Sequence, residues 1–145
     1  MGSSISSPRV NVVEPEFSVT LHRIEVHAGP SARDGDELVW ELTAGPGVED
    51  GVVLWGYLRR SESDGPFAQT QVVGFTSPWK WSDISSGTEN HGPFNEWVAR
   101  YAAESMFDTA RRAIQAQAAL MDTRFEIDLK APPATVEFGA FTDVL

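Results

Sequence analysis

The chain has 145 residues, of which 41% are hydrophobic, and its formal net charge is -10. This length favours a single domain with one core, and the negative charge disfavours nonspecific binding to nucleic acid or to anionic membranes. The sequence contains no cysteine, which excludes disulfides, thiolate metal sites and cysteine nucleophiles.

The N-terminal stretch differs in composition from the rest of the chain. Residues 1–15 are rich in serine and proline and are predicted to form a flexible arm, followed by a single domain over residues 16–145. The arm lacks the basic start and the apolar stretch of a secretion signal, and no later segment reaches the roughly 18 to 20 apolar residues of a membrane span. We therefore expect a cytoplasmic protein without membrane insertion.

The segment "FSVTLHRIEVHA" predicts the first strand. Its apolar residues alternate, but the phase of the alternation changes near His22 and Arg23. A β-bulge at this point would place both apolar groups on one side of the sheet. The two groups are Phe17, Val19 and Leu21, then Ile24, Val26 and Ala28.

Three further segments predict strands. "ELVWELT" alternates between turn-forming flanks, and "PFAQTQVVGFT" follows a polar turn of hairpin length. "GVVLWGYLRR" is apolar at nearly every position, which suits a strand covered on both faces or one lying at a subunit junction. The four segments together predict an antiparallel sheet.

A polar crossover with Trp79 and Trp81 leads from the sheet to a long helix, which is predicted to begin near Pro93 and to end near Met121. "RFEIDL" then alternates as a further short strand, and "VEFGAFTDVL" closes the chain with a short apolar segment. The predicted fold is therefore α+β, with a four- or five-stranded antiparallel sheet packed on one long helix.

The helix carries more apolar surface than a surface helix needs. Successive residues of a helix are rotated by roughly 100° about its axis. This rotation divides the predicted helix surface into three sectors. Arg100, Glu104, Asp108, Arg111 and Gln115 form a solvent stripe, with Arg100–Glu104 and Asp108–Arg112 at ion-pair spacing. Bulky side chains form a second sector of Phe94, Trp97, Val98 and Tyr101. Small side chains form a third sector of Ala99, Ala102, Ala103, Met106, Ala110 and Ala113.

Two apolar sectors indicate a helix that is covered on two sides, because an ordinary surface helix buries only one stripe. Either the domain itself covers both sides, or its sheet covers one and another subunit the other. With only four or five strands in the chain, we favour the second interpretation. The bulky sector would then contact the sheet, and the small-residue sector would form an interface in a homo-oligomer.

No set of residues has the spacing of a catalytic or metal site. Only three histidines are present, and His22 and His27 fall on opposite faces of a strand unless the bulge intervenes. Glu104 and Asp108 share a helix face, but neighbouring arginines would keep both ionised, whereas acid–base catalysis needs one raised pKa. The sequence predicts no catalytic residue, no metal, no cofactor and no enzyme activity.

The aromatic residues are interpreted first as core. If oligomerisation leaves a groove beside the helix, some of them could instead line an apolar channel for an extended polypeptide. These candidate client-binding residues are Trp40, Trp55, Tyr57, Phe67, Phe75, Trp79 and Trp81.

Two segments resemble the SecB-type export chaperones and their relatives in toxin–antitoxin systems. "NHGPFNEWVARYAAE" is similar to that family's entrance to its main helix, and "IDLKAPPATVEFGAF" to its proline-containing closing segment. Weaker similarities lie in "FSVTLHRIEV" and "DGPFAQTQVVGF". The likeness spans about residues 16 to 141. Two departures are the extra residues in "AIQAQAALMDTRFE" and the lack of a zinc-binding tail at Leu145.

The resemblance implies dimers of dimers, with the main helices between sheets, that hold unfolded clients in apolar grooves without a cofactor. It therefore predicts an ATP-independent holdase, that is, a chaperone that binds nonnative polypeptide and does not refold it. Acidic residues of the outer sheet would contact a basic partner or simply keep the protein soluble. The candidates for this patch are Asp34, Asp36, Glu37 and Glu41, with Glu49 and Asp50 close by.

Two alternatives stay open from the sequence. The wide helix surface and the N-terminal arm also fit a structural subunit of a symmetric assembly, such as a phage tail or connector component. A small enzyme or ligand-binding α+β domain would need a closed pocket with a histidine beside a carboxylate. The identity of a client, and whether the protein serves export, a toxin–antitoxin system or a viral assembly, are not encoded in any motif.

Overall fold

The computed structural model describes residues 17–29, 35–63, 65–76, 79–85 and 91–139, so the predicted N-terminal arm lies outside the described residues. Its strands, in chain order, are β1 (Phe17–His27), β2 (Glu37–Pro46), β3 (Val52–Ser61), β4 (Phe67–Thr76) and β5 (Val136–Phe138). A short helix α1 (Trp81–Ser85) precedes the long helix α2, which covers residues 91–119. A single 3-10 turn, Val48–Asp50, joins β2 to β3.

The five strands form one sheet in the order β1-β4-β3-β2-β5. Its first four strands are antiparallel neighbours, as predicted. The fifth strand runs parallel to β2, with Leu42 opposite Val136 and Ala44 opposite Phe138. The sheet is therefore mixed, and the predicted α+β architecture with one long helix is confirmed.

The fifth strand is not the segment "RFEIDL", which pairs with no strand in the described part of the chain. After α2 the chain runs back along the helix, contacts the end of β3 through Glu126 and pairs with the sheet from Val136. It arrives there in the same direction as β2, which explains the parallel pairing.

Strand β1 contains the predicted bulge. Its register against β4 shifts between Leu21 and Arg23, so that His22 has no opposite residue. The shift brings the two apolar groups to one face, because Phe17, Val19, Ile24 and Val26 all pack against the core. Leu21, beside the bulge, remains 43% exposed.

Helix α2 consists of α-helical residues His91–Trp97, a π-helical turn Val98–Ala102 and α-helical residues Ala103–Ala119. A π turn holds more residues than an α turn, so side chains after it are rotated relative to a regular helix. One stripe faces the sheet through the whole length. It comprises Phe94, Val98, Ala102, Met106, Phe107, Ala110, Ile114 and Ala118.

This stripe corrects the predicted division of the helix. Ala102, Met106 and Ala110 are 0% exposed within the chain's own core, so they have no surface to offer a second subunit. Tyr101, which was predicted to contact the sheet, is 58% exposed. The regular rotation of 100° caused both errors, because it ignores the π turn. The remaining members of the small-residue sector, Ala99, Ala103 and Ala113, are exposed or half-buried.

The predicted solvent stripe of α2 is only partly in solvent. Asp108 forms the expected ion pair with Arg112 at 2.8 Å, whereas Arg100 pairs with Glu96 and not with Glu104. Glu104 is half-buried, and it accepts a hydrogen bond from the backbone N–H of Ala131 at 3.2 Å. A later segment of the chain therefore covers part of this stripe.

Arg60 connects three parts of the chain at one end of the sheet. Its side chain is 11% exposed and forms ion pairs with Asp36 and, at 3.5 Å, with Glu62. It also donates to the backbone oxygen of Glu126 at 2.7 Å and to that of Ser61 at 3.0 Å. Only a guanidinium group has enough donors in a fixed plane for this set of acceptors.

We expect Arg60→Lys to lower the free energy of unfolding by about 1–2 kcal/mol, because lysine leaves part-buried acceptors without a donor. Urea unfolding followed by far-UV circular dichroism measures the change. Arg59→Lys is the matched control: Arg59 forms one ion pair, with Glu37 at 3.0 Å, and its side chain is 26% exposed. This control should change stability by less than about 0.5 kcal/mol. Equal effects of the two substitutions would contradict the role given to Arg60.

Candidate functional site

The seven aromatic residues predicted to bind clients lie in three separate places. Trp40 is on the inner face of the sheet, only 7% exposed, with its ring 5.2 Å from that of Phe107. Trp79 and Trp81 lie in the crossover and pack against the core beside the start of α2. The other four side chains, of Trp55, Tyr57, Phe67 and Phe75, are on the outer face of the sheet. The seven residues therefore do not line one groove.

The outer face of the sheet has an apolar and a polar part. Phe75 is 44% exposed in the apolar part, and Trp55 packs its ring 5.0 Å from that of His22. In the polar part, Tyr57 donates to Gln69, which in turn donates to Glu25, both at 2.7 Å. These interlocked side chains fill the polar part, whereas a shallow cavity of about 390 Å³ lies at the apolar end, lined by Ser18, Val53 and Phe75 among others.

The carboxylate of Glu25 ends this hydrogen-bonded chain. Hydrogen bonds from His27, at 2.6 Å, and from Gln69 hold the pKa of the Glu25 carboxyl below its ordinary value. A carboxyl with a lowered pKa stays ionised at neutral pH, so it does not serve as a proton donor there. The Glu25 carboxylate therefore bridges the side chains of His27 and Gln69 and is not a proton donor at neutral pH.

An aromatic cluster joins the N-terminal part of α2 to its surroundings. The ring of Phe94 lies 5.2 Å from that of Trp79 and 5.7 Å from that of Phe138. His91 stacks on Phe138 with ring centroids 4.0 Å apart, and its Nε2 donates to the backbone oxygen of Ile84 at 2.7 Å. The cluster thereby fixes the crossover and strand β5 to the helix.

Two residues of the predicted acidic patch form ion pairs within the chain. Asp36 pairs with Arg60, and Glu37 pairs with Arg59 at 3.0 Å. Glu41 is exposed on the outer face, whereas Asp34 lies outside the described residues. Two of the three described acids therefore have cationic partners within the chain, and binding of a basic protein at this patch stays a prediction.

The segment that follows α2 is held against the helix. We call residues 123–135 the return segment. Gln115 donates to the backbone oxygen of Phe125 at 2.7 Å and accepts from its N–H at 3.2 Å. Further along, Glu104 accepts from the N–H of Ala131. The return segment therefore runs antiparallel to α2, from its C-terminal end towards its middle.

Between the return segment and the helix lies an open groove with a volume of about 1030 Å³. The small side chains Ala99 and Ala103 form its helix side, and the proline pair Pro132 and Pro133 forms part of the other. The Oδ1 atom of Asn95, also in the lining, is buried without a hydrogen-bond partner. The remaining lining residues are Val98, Glu104, Asp128, Leu129, Lys130, Ala131, Ala134, Thr135 and Val136.

Sequence reasoning missed this groove, although two signals pointed to it. "RFEIDL" alternates like a strand, and Pro132 and Pro133 forbid regular pairing directly after it. Together, the alternation and the two prolines indicate a strand-like segment that does not pair within the sheet. Only Ala99 and Ala103 among the groove residues were predicted to contact another polypeptide, and there the expected partner was a second subunit.

Two other features are not found in the described part of the chain. Among the residues with described positions, no three His, Asp or Glu side chains converge as metal ligands would. Within the same ranges, no helix is both long enough and apolar enough to cross a membrane. The groove lining is mainly apolar and includes the charged residues Glu104, Asp128 and Lys130.

The four antiparallel strands, the crossover, the long helix on one face and the closing proline segment define a SecB-like α+β fold. The solved structure of a SecB-like chaperone from Mycobacterium tuberculosis, Rv1957, in complex with a ChAD peptide from the HigA1 antitoxin Rv1956, is similar to this chain. The TM-score is 0.56, and the match covers 86% of this chain and 92% of that chain at 10% sequence identity. At this identity the likeness establishes the fold. A scan against protein-family models and a search of curated proteins find no match.

Proposed function

We propose that this protein is a SecB-like holdase that binds extended apolar segments of nonnative polypeptides in the groove between α2 and the return segment. The observation that carries the proposal is this apolar groove on a fold whose solved relative holds a peptide. Binding would cover apolar client surface and so delay aggregation. Hydrolysis of ATP is not needed, because the free energy comes from apolar burial and hydrogen bonds.

The electrostatics of the chain favour some clients over others. The net charge is -10, and Glu104 and Asp128 lie in the groove lining beside a single cation, Lys130. Negatively charged client segments would be repelled on approach, whereas neutral or basic segments would associate faster. We therefore propose apolar segments with neutral or basic flanks as the client class.

The proposal includes a homo-oligomer, a dimer or a dimer of dimers, in the cytoplasm. Ala113 is half-buried and lies outside the groove lining, so it would let another backbone approach α2 closely while Ala99 and Ala103 stay available to a client. Light scattering coupled to size-exclusion chromatography gives the mass in solution. A monomer at micromolar concentration would contradict this part of the proposal.

The central experiment follows the aggregation of a chemically unfolded model protein by light scattering, without nucleotide. Wild type should suppress aggregation near stoichiometric ratio. Ala99→Arg places a long cation in the groove, and we expect it to require roughly tenfold more protein, which corresponds to a loss of about 1.4 kcal/mol in binding. Ala116→Arg is the matched control, because Ala116 is exposed on the same helix but is not part of the groove lining.

Two further measurements make the result interpretable. The mass and the thermal unfolding of Ala99→Arg must match those of wild type, so that loss of assembly or of folding is distinguished from a blocked groove. If Ala99→Arg suppresses aggregation as well as wild type does, the groove is not the binding site. If wild type fails at stoichiometric excess, the holdase function itself is wrong.

A further inference from the structure

A second cavity lies beside the C-terminal half of α2. It has a volume of about 920 Å³ and is bounded by the first part of the return segment and by residues at the start of strand β2. Arg111, Gln115 and Ala119 form its helix side. Its lining is more polar than that of the groove, because the guanidinium groups of Arg60 and Arg124 lie there among carboxylate groups. The second cavity therefore differs from the groove in the ligands that it suits.

The second cavity adjoins the groove. Asp128 and Leu129 belong to the lining of both. The hydrogen bonds that anchor Phe125 and Ala131 to α2 do not separate the two, because residues before and after Ala131 line the groove, and residues before and after Phe125 line the second cavity. A ligand can therefore extend from the groove into the second cavity while both anchors stay intact.

The side chain of Leu129 lies at this junction. The chain bends at Leu129 and Lys130, and the leucine side chain is 75% exposed although it borders both the groove and the second cavity. A ligand that passes from one to the other would cover this apolar side chain, and its removal from water favours binding. Leu129 would thus contact the ligand at the middle of a longer site.

The groove and the second cavity each contain a buried polar atom without a partner. The Nη2 of Arg111 donates to Asp108 at 2.6 Å, whereas its Nε donates to no acceptor in the described part of the chain. Asn95, in the groove lining, has the complementary property, because its Oδ1 accepts from no donor within the same ranges. Buried polar atoms without partners are unfavourable, so a ligand that supplies both partners is favoured. Each non-proline residue of a polypeptide offers one C=O acceptor and one N–H donor.

We propose that the client site continues from the groove into the second cavity and that one extended polypeptide occupies both. This inference rests on the proposed function and specifies the client further. An apolar part of the client would lie beside Ala99 and Ala103, and an uncharged polar part would lie beside Arg111, with a client C=O accepting from its Nε.

The mixed charge of the second cavity is the reason for an uncharged polar part. Guanidinium and carboxylate groups both line the cavity, so a charged client side chain would lie near a like charge as well as an opposite one. Hydroxyl and carboxamide groups both donate and accept hydrogen bonds, so they can pair with either kind of group. The preferred client therefore has an apolar run joined to residues such as serine, threonine, asparagine and glutamine.

The length of α2 determines the length of the site. Asn95 and Ala119 mark its two ends on the helix, and a helix of this length spans roughly 36 Å. An extended polypeptide covers this distance with about eleven residues. The groove alone, from Asn95 to Glu104, accommodates only about four. A client with a polar extension should therefore bind more tightly than its apolar part alone.

The test uses three synthetic peptides labelled for fluorescence anisotropy. The short probe has two N-terminal lysines followed by five alternating valine and leucine residues. Each of the two long probes carries in addition a five-residue segment of serine, asparagine and glutamine, which follows the apolar part in one probe and precedes it in the other. Both orders are needed because the chain direction of a client is open. We expect at least one long probe to bind wild type at least tenfold more tightly than the short probe does.

Variants at exposed positions locate the additional contacts. Ala119→Arg places a long side chain in the second cavity and should bring the tighter long probe within twofold of the short probe, whose own affinity should not change. Ala116→Arg is the matched control, since Ala116 is exposed and lines neither the groove nor the second cavity. Leu129→Ser should weaken the long probe at least fivefold. Leu120→Ser, at a leucine that is 80% exposed and outside both linings, should change it less than twofold.

The outcomes distinguish the longer site from the holdase function. Thermal unfolding of the four variants should match that of wild type, because all four side chains are exposed. Equal binding of the short probe and both long probes, or a gain that persists in Ala119→Arg, would overturn the longer site and leave the holdase function intact. Failure of the short probe to bind wild type would overturn both.

Discussion

Phe94→Ala should lower the free energy of unfolding by about 3–5 kcal/mol, the range for truncating a fully buried phenylalanine. Phe94 is 0% exposed, and its ring lies within 6.0 Å of those of Trp79, Trp97 and Phe138. Truncation leaves a cavity at the point where the crossover, helix α2 and strand β5 meet. We expect the loss to be large because aromatic neighbours on several sides restrict relaxation into the cavity.

Urea unfolding followed by tryptophan fluorescence and circular dichroism measures this effect. Phe94→Leu retains most of the side-chain volume and should lose less than about 1.5 kcal/mol, so it provides a readout if the alanine variant does not fold. Tyr101→Ala, on the same helix but 58% exposed, is the control and should change stability by less than about 0.5 kcal/mol. Comparable losses for Phe94→Ala and Tyr101→Ala would refute the assigned packing.

Gly56→Ala should destabilise the protein by about 1–3 kcal/mol, although alanine is normally preferred to glycine in a strand. A Cβ atom at Gly56 would lie 2.8 Å from Cη2 of Trp40, and 3.1 Å from both Cε of Met106 and Cγ2 of Val72. These three side chains belong to the buried core and have little freedom to move. The missing side chain of Gly56 therefore lets helix α2 approach the sheet.

Gly92→Ala is the matched control for this substitution. A Cβ at Gly92 would have no heavy atom within 4 Å among its described surroundings, and the residue lies in the first turn of α2. Here the change should be neutral or stabilising by up to about 1 kcal/mol, because it reduces the entropy of the unfolded chain. Opposite signs at the two glycines are the expected result in thermal unfolding. A stabilised Gly56→Ala variant would show that the helix does not contact the sheet as described.

The prediction from sequence succeeded where the signal is local. The alternation of apolar residues shifts by one position near His22, and this shift predicts strand β1 and its bulge. Side chains alternate between the two faces of any strand, whatever the rest of the fold is. The ends of α2 follow from Pro93 and from the loss of apolar pattern near Met121. Both features are determined by neighbours in the chain.

The prediction failed where the outcome depends on packing. The π turn at Val98–Ala102 rotates the helix faces, and no residue in that turn requires it by its own conformational preference. Ala102 and Met106 consequently lie under the chain's own sheet and not at an interface with another subunit. In the same way, the aromatic residues are distributed over both sheet faces, because strand alternation separates Trp40 from Tyr57 whatever their common chemistry.

The sequence by itself determined the strand-forming and helix-forming segments and the SecB-like order in which they follow one another. Only the tertiary structure decided that "RFEIDL" runs along helix α2 and pairs with no strand in the described ranges, with an apolar groove nearby. The physical reason is that a strand pattern specifies alternation but not a partner. A partner requires another backbone at hydrogen-bonding distance, and the position of that backbone is decided by how the helix packs on the sheet.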